Sequence, residues 1–375
     1  MIPTLTGGGA ERVVVTLLQH LDRARFDLTL AVVDLRDAVF RAEIPSDVAF
    51  IDLRCARVRN ALPKVIALIW RLRPDVVLST LGHLNLALAI VRPLLPDSAR
   101  YIARETIVVS HGITEHARSS WWAWAYKRFY RRFDKVICQS ADMRDDLVQA
   151  FSIDAQRIVV INNPVDVRRI AAALEAVDPQ SRSDGRSDAE QPMVRLVAAG
   201  RLVRQKGFDL LIEAIALARR RSYHLTLLGE GPLRDSLAAL ARSHGLRDRV
   251  EFLGFQPNPY PYLARADAFV LSSRYEGFPN IVLEALACGT PVVAVPAPGG
   301  VREILQSIQG CVIAESITAP ALAVALDRWQ PSRIPPRVVD RYSVASIVES
   351  YAVELQDKED RPSPAMGGRK APRGQ

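Results

Sequence analysis

The sequence predicts an α/β protein of two doubly wound halves, each a parallel sheet with helices on both faces. Two observations predict it. Strand-like and helix-like segments alternate along the chain, as expected for parallel strands joined by helical crossovers. A polar stretch, 178–192, rich in Ser, Asp, Arg and Gln, divides the alternation into parts of comparable size. With 375 residues, 49% of them hydrophobic, the chain can bury a core in each part.

In the first half, 26–33, 48–53, 75–79, 100–103, 135–139 and 157–161 read as strands, with helices such as 10–21 and 62–72 between them. Before the first helix, residues 1–5 make a strand shorter than a usual central one, which suggests a start set too late or a truncated chain. The strands of the second half are 194–199, 224–229, 250–253, 268–273, 291–295 and 310–313. A late helix, 344–355, follows Pro331, Pro335 and Pro336. The expected division is a first domain over 1–177, a linker over 178–192, a second domain over 193–342 and a terminal helical segment over 343–357. The tail, 358–375, carries Arg361, Arg369, Lys370 and Arg373 with no apolar period, and is expected to be disordered.

Charge and composition narrow the partners. The formal net charge is +8, which suits nucleic acid, or an anionic membrane surface with an anionic substrate. No nucleic-acid-binding motif accompanies it. No apolar run approaches the ~20 residues that span a bilayer, and the N-terminus lacks the basic and apolar regions of a secretion signal. Cys55, Cys138, Cys288 and Cys311 have neither close pairing nor metal-ligand spacing, so they read as reduced core thiols and the compartment as cytoplasmic. Aromatics and cations mix over Trp121, Trp122, Trp124, Tyr126, Lys127, Arg128 and Phe129. Such a helix either meets a membrane interface or packs its aromatics on the sheet with its cations in water.

The chemistry concentrates at strand ends. Glu276 and Glu284 bracket Gly277, Phe278, Pro279, Asn280, Ile281 and Val282, between a buried strand and a helix that closes at Gly289. Pro279 suits a first helical position, leaving the N–H groups of Asn280, Ile281 and Val282 for an anion. That arrangement suits a sugar joined to a diphosphate: the cradle takes phosphate and the acids take hydroxyls. Four glycine loops also follow strands, around Gly7-Gly8-Gly9, Gly200 to Gly207, Gly229-Glu230-Gly231 and Gly299-Gly300. Each alone reads as a tight turn, whereas together at strand ends they suit ligand binding. Arg201 and Lys206 in the second loop could lean on a diphosphate. There is no Asp-x-Asp and no His, Cys or carboxylate cluster at metal spacing, so no metal site is assigned and protein cations must stabilise a departing diphosphate.

Taken together, the Gly-Arg…Lys-Gly loop, Gly229-Glu230-Gly231-Pro232, the Glu-x7-Glu segment, Ala285 to Val293 and Gly299 to Glu303 resemble the GT-B glycosyltransferases of family 4, the retaining, nucleotide-sugar-dependent group. The resemblance runs from Gly7 to about Leu355. It implies two Rossmann-like domains facing a central cleft, with the terminal helix crossing back to the first. It also implies that Arg201 and Lys206 hold the leaving diphosphate, that Glu276 contacts sugar hydroxyls and Glu284 the ribose, and that Gly277 to Val282 complete the donor cradle. Glu230 would also bind the donor, Phe255 and its neighbours from Leu253 to Gln256 would face the base, and Gly8 and Gly9 would face the donor's phosphates from the first domain. Many members carry a histidine where this chain has Arg104 and Glu105, so those two are the candidate acceptor-side residues; His111 lies off register. The implied function is transfer of a sugar, from a nucleotide-diphosphate sugar such as a UDP-sugar, to a glycan or lipid-linked acceptor in cell-surface polysaccharide synthesis. It would proceed without cofactor or obligatory metal, at the inner face of the membrane. The alternatives are a nucleotide-sugar epimerase or hydrolase of the same fold and a non-catalytic basic nucleic-acid-binding protein.

Overall fold

A computed structural model describes residues 1–114, 119–176 and 193–356. The linker at 178–192 and the tail at 358–375 lie outside the described residues. In chain order the first half comprises α1 (Gly9–His20), β1 (Thr29–Val32), β2 (Ala49–Asp52), α2 (Val58–Leu72), β3 (Val76–Thr80), α3 (Gly82–Val91), β4 (Arg100–Arg104), α4 (Val109–Thr114), α5 (Ser119–Phe129), β5 (Lys135–Cys138), α6 (Ala141–Phe151) and β6 (Ile158–Val160). Its strands run parallel, as the pair β1–β2 and the set β3-β4-β5-β6.

The short segment 1–5 joins these two sheets. Ile2 N–H donates to Ala31 O at 3.0 Å and Val33 N–H to Ile2 O at 3.1 Å. On its other side, the Met1 amino group donates to Leu78 O at 2.6 Å and Thr80 N–H to Met1 O at 3.2 Å. This short extended segment is therefore central. Burial pushes the Met1 amine down to about 5, because the charged form is taken out of water. Helix α1 covers this region with two faces: Val13, Leu17 and Leu21 pack in one cluster, and Val15 and Leu18 in another. Helix α2 stops where Arg73 turns left-handed (φ 44°) ahead of Pro74.

Next come α7 (Val167–Glu175), β7 (Val194–Ala199), α8 (Phe208–Leu217), β8 (Tyr223–Leu228), α9 (Arg234–Ser243), β9 (Val250–Gly254), α10 (Tyr260–Arg265), β10 (Ala268–Leu271), α11 (Asn280–Ala287), β11 (Val292–Ala294), α12 (Val301–Leu305), β12 (Val312–Ile313), α13 (Ala319–Arg328) and α14 (Val344–Gln356). The second sheet has six parallel strands in the order β12-β11-β10-β7-β8-β9. Its first strand, β7, therefore has β8 on one side and β10 on the other. The direction of winding reverses between β7 and β10, and open α/β sheets bind ligands at such a reversal.

Packing revises the expected boundary at 177. Val165 and Ile170 belong to the second core, with Val167, Ala173 and Leu174 packed against it, because α7 turns its apolar stripe toward that domain. The chain thus crosses just after β6. It returns at 342–344, where Val165 N–H donates to Tyr342 O at 2.8 Å and Val165 bridges Ser343. Helix α14 then packs on the first domain: Ile347, Val348, Tyr351 and Ala352 share a cluster with Val13, Leu17, Ile102 and Ile137. Each large apolar side chain buried there contributes about 1.5–3 kcal/mol.

Candidate active site

Adjacency of β7 and β10 brings two distant sequence segments together. Lys206, at the end of a short 3-10 turn after β7, places Nζ 2.7 Å from Glu276 Oε1, in the loop after β10. Ser273 Oγ donates to the same carboxylate oxygen at 2.6 Å. Glu276 is 6% exposed, so a paired cation and a hydroxyl compensate the cost of burying its charge. Arg201 emerges from the same β7 loop and is exposed, with no ion pair among the described residues. The site thus has one neutralised acid and one uncommitted cation.

The loop after Glu276 is fixed from both domains. Gly277 lies so close to the first domain that a Cβ there would sit 2.1 Å from Thr106 O, and Val108 N–H donates to Glu276 O at 3.3 Å. Asn163 Nδ2 donates to Phe278 O at 3.0 Å and to Asn280 Oδ1 at 2.7 Å. Asn280 Nδ2 in turn donates to Gly9 O at 3.2 Å. The Phe278 ring is buried beneath Gly300 and packs edge-on against Tyr342 at 5.3 Å, so only its backbone faces the cleft. Pro279 is the N-cap of α11 rather than its first helical residue, and Val282 N–H closes back onto Pro279 O at 3.0 Å. The side chain of Ile281 is half-buried and that of Val282 fully buried, leaving the N–H groups of Asn280 and Ile281 as the donors of this helix start.

One turn on, Glu284 Oε1 lies 4.0 Å from Arg169 Nη2. Arg169 also donates to the Tyr260 hydroxyl. Burial holds the Glu284 carboxyl above the ordinary range, offset by the charges of Arg169 and then Arg12. Arg12 itself is spent on Glu43 and stacks 3.9 Å from the Phe40 ring centroid. Farther out, at the ends of β8 and β9, Glu230 is exposed and accepts Phe255 N–H at 3.5 Å, while the Phe255 ring is half exposed.

On the first-domain side, Gly8 caps α1 and Gly9 begins it. The Glu11 carboxylate folds back there, 2.5 Å from where a Gly8 Cβ would be, and accepts Thr4 Oγ1 at 3.2 Å. An internal acid therefore already answers this helix start, which leaves Gly8 and Gly9 a weaker anion site than their spacing suggests.

The expectation for Arg104 and Glu105 needs correction: neither offers a side chain to an acceptor. Arg104 is fully buried and donates to Tyr351 OH at 2.8 Å, Thr80 Oγ1 at 3.2 Å and Asn163 Oδ1 at 2.7 Å. Its work is indirect, since it orients the Asn163 that holds the start of α11. Glu105 is 1% exposed among Asn85, Tyr126 and Tyr130. Its Oε2 has no hydrogen-bond partner among the described residues, and burial pushes its carboxyl up to about 7. His111, by contrast, is exposed and stacks on Tyr275 at 5.9 Å, beside Glu276.

Sequence reasoning missed Ser273, Asn163 and Arg169. Ser273 was within reach, since it sits three residues before Glu276 at a strand end. Asn163 and Arg169 carry no local signal, because the site groups they hold, the start of α11 and Glu284, are more than 100 residues away. The thiols of Cys138, Cys288 and Cys311 are all held above their ordinary range by burial. Among the described residues no three His, Cys, Asp or Glu side chains gather to hold a metal.

Comparison with known proteins gives a consistent likeness. A family model described as "Glycosyltransferase Family 4" matches residues 7–169, and one described as "Glycosyl transferases group 1" matches 180–342. An N-acetylgalactosaminyltransferase of Campylobacter jejuni, named for a diacetylbacillosaminyl-diphospho-undecaprenol acceptor, is 34% identical over 47% of this chain and 45% of its own length. The lipopolysaccharide core biosynthesis glycosyltransferase LpsE of Rhizobium meliloti is 30% identical over 61% of this chain and 66% of its own. The chain thus spans between about half and two thirds of the length of these curated relatives. The solved structure of Anabaena Alr3699/HepE in complex with UDP and glucose superposes with a TM-score of 0.72 at 20% identity, covering 94% of this chain and 98% of that one.

Proposed function

This chain belongs to the GT-B glycosyltransferases of the family 4 type, and from that premise we propose that it transfers a sugar, with retention, from a nucleotide-diphosphate sugar to a glycan or lipid-linked acceptor. The observation that carries this reading is the Lys206–Glu276–Ser273 constellation, buried where the winding reverses and flanked by the uncommitted Arg201. In the absence of donor, Lys206 neutralises Glu276. A bound diphosphate offers Lys206 a stronger anion, which releases the Glu276 carboxylate to accept sugar hydroxyls. Arg201, Lys206 and the N–H groups of Asn280 and Ile281 then face the charge that grows on the leaving phosphate. The bond from the anomeric carbon to the phosphate oxygen breaks with its electron pair going to phosphate. The acceptor oxygen attacks from the same face, and its proton passes to the departing phosphate. Protein cations serve in place of an obligatory metal.

The UDP and glucose bound in the similarly folded Anabaena protein make UDP-sugars the first donors to test. The acceptor named for the Campylobacter relative and the surface of α5 favour a lipid-linked acceptor at the inner membrane face. On α5, Trp121 and Trp124 are exposed alongside Lys127 and Arg128, with Arg131 exposed just beyond its end, whereas Ala125 and Tyr126 face inward. Aromatic bodies next to cations suit the headgroup region of an anionic bilayer. No helix among the described residues is long and apolar enough to cross one.

A panel of nucleotide sugars, scored by thermal stabilisation and slow donor hydrolysis, tests the donor claim; it fails if none binds. Turnover should persist in EDTA, and a strict requirement for a protein-bound divalent ion would remove the role given to Arg201 and Lys206. Sedimentation with anionic vesicles tests the membrane claim, which fails if Trp121→Ser with Trp124→Ser leaves binding unchanged.

A further inference from the structure

The fourth glycine loop, Gly299-Gly300, is not a phosphate cradle, because its N–H groups are already used. Gly300 N–H donates to Gly277 O at 2.7 Å, and Glu276 N–H donates to Pro298 O at 2.9 Å. Gly299 packs so closely on this backbone that a Cβ would lie 2.6 Å from Glu276 O and 2.7 Å from Gly277 O. Its left-handed φ of 116° also favours glycine. The loop therefore forms the back support of the Glu276 segment. That support is tied to the other domain, since Gly299 N–H donates to Asp142 Oδ2, in the first turn of α6, at 3.1 Å.

The tie is answered in the reverse direction. Glu303, on α12 just beyond the loop, accepts Ala141 N–H at the start of α6 through Oε2 at 3.2 Å. Its other oxygen accepts Asn162 Nδ2 at 2.7 Å. Each domain thus lends a carboxylate to a backbone N–H of the other. Ser140 and Glu303 together answer the first amides of α6, one from within the domain and one from across the cleft.

We propose that Asp142 and Glu303 are positioning residues, a reciprocal clasp through which domain closure fixes the loop that carries Glu276. The effect on transfer rests on the glycosyltransferase reading; the effect on domain closure does not. Neither acid need touch substrate. The nucleotide contacts assigned above, Lys206, Arg201, Glu284 and the α11 start, sit on the second domain and should bind equally well with the clasp broken. What is lost is the placement of the sugar-binding acid.

The test uses the full chain carrying Asp142→Ala, Glu303→Ala and both together, with Asp142→Asn as the variant that keeps an acceptor oxygen. Small-angle scattering, with and without UDP, reads domain separation, while calorimetry reads UDP affinity and initial rates read kcat and donor KM. The double variant should show a larger radius of gyration than the native chain and UDP affinity within about twofold of it. Its kcat should fall about ten- to hundredfold, as expected when charge-assisted hydrogen bonds are removed, and Asp142→Asn should lose less than Asp142→Ala. Equal radii in both conditions overturn the clasp, whether or not transfer is seen. A kcat unchanged within about twofold also overturns it, as does a matching loss of UDP affinity and melting temperature, which marks a merely structural role. If no donor is turned over by the native chain, the glycosyltransferase reading fails, and the scattering still decides the clasp.

Discussion

Arg104 and Glu105 close β4 in the first domain; Arg201, Lys206 and Glu276 follow β7 and β10 in the second. Both sets stand at the carboxyl ends of central parallel strands, and both mix cations with acids. In the first domain the guanidinium is sealed among Tyr351, Thr80 and Asn163, and the acid keeps one oxygen with no partner among the described residues. In the second domain the acid is paired with Lys206 and Ser273, and Arg201 is left to the cleft. The difference lies in what covers each strand end. Helix α14 lies on the first domain and brings Tyr351 onto Arg104, so that charge becomes a structural strut. Just past β7, Arg201 is exposed, so that loop keeps access to a ligand. Charges at equivalent places in two similar folds thus acquire opposite duties.

The sharpest way to break this comparison is to remove the open set. Lys206→Ala and Glu276→Ala should each lower kcat by about 10²–10³, the usual cost of losing a stabiliser of developing charge or a group that positions the substrate. Glu276→Ala, which removes the buried charge itself, should keep a melting temperature near that of the native chain, whereas Lys206→Ala should also lower it, because the buried carboxylate keeps only Ser273. Near-native turnover in both would refute the assignment.

Removing the sealed cation should do the reverse. Arg104→Ala leaves Tyr351, Thr80 and Asn163 without their shared donor, and about 2–3 kcal/mol of stability should go with it. Denaturant unfolding measures that loss. At the remaining folded fraction kcat should fall far less than in the Lys206 and Glu276 variants, since Arg104 reaches the α11 start only through Asn163, and a variant as stable as the native chain would mean the strut carries no load.

A smaller effect concerns Glu105 and pH. Its carboxyl is held up to about 7, against an ordinary value of 4.5, chiefly by burial. Between these values the folded chain keeps a proton that the unfolded chain releases. This group's contribution to stability therefore falls as pH rises from about 4.5 to about 7, by at most ~1.4 kcal/mol per pH unit, and is level above. Glu105→Gln should remove that slope. The comparison with native unfolding across the window isolates it from other titrations, and identical slopes would show that Glu105 titrates normally.

The amino-acid sequence settled the alternation of strands and helices, and with it the parallel sheets, because periodicity and glycine punctuation act over a few residues. It also offered Arg201, Lys206 and Glu276, in stretches that directly follow readable strands, and Glu284, inside the helix that comes next. It misplaced the end of the first domain, because α7 is amphipathic in either setting and only packing decides which core takes its apolar stripe. It offered Arg104 and Glu105 as acceptor-side groups, because nothing local reports that α14 returns to cover them. Strand order was likewise undetermined. That β10 lies beside β7 is a long-range fact, and it alone sets Lys206 2.7 Å from Glu276 across 70 residues of chain. Local patterns specify which elements form. The burial of their faces against distant partners decides which of their charges stay open to chemistry.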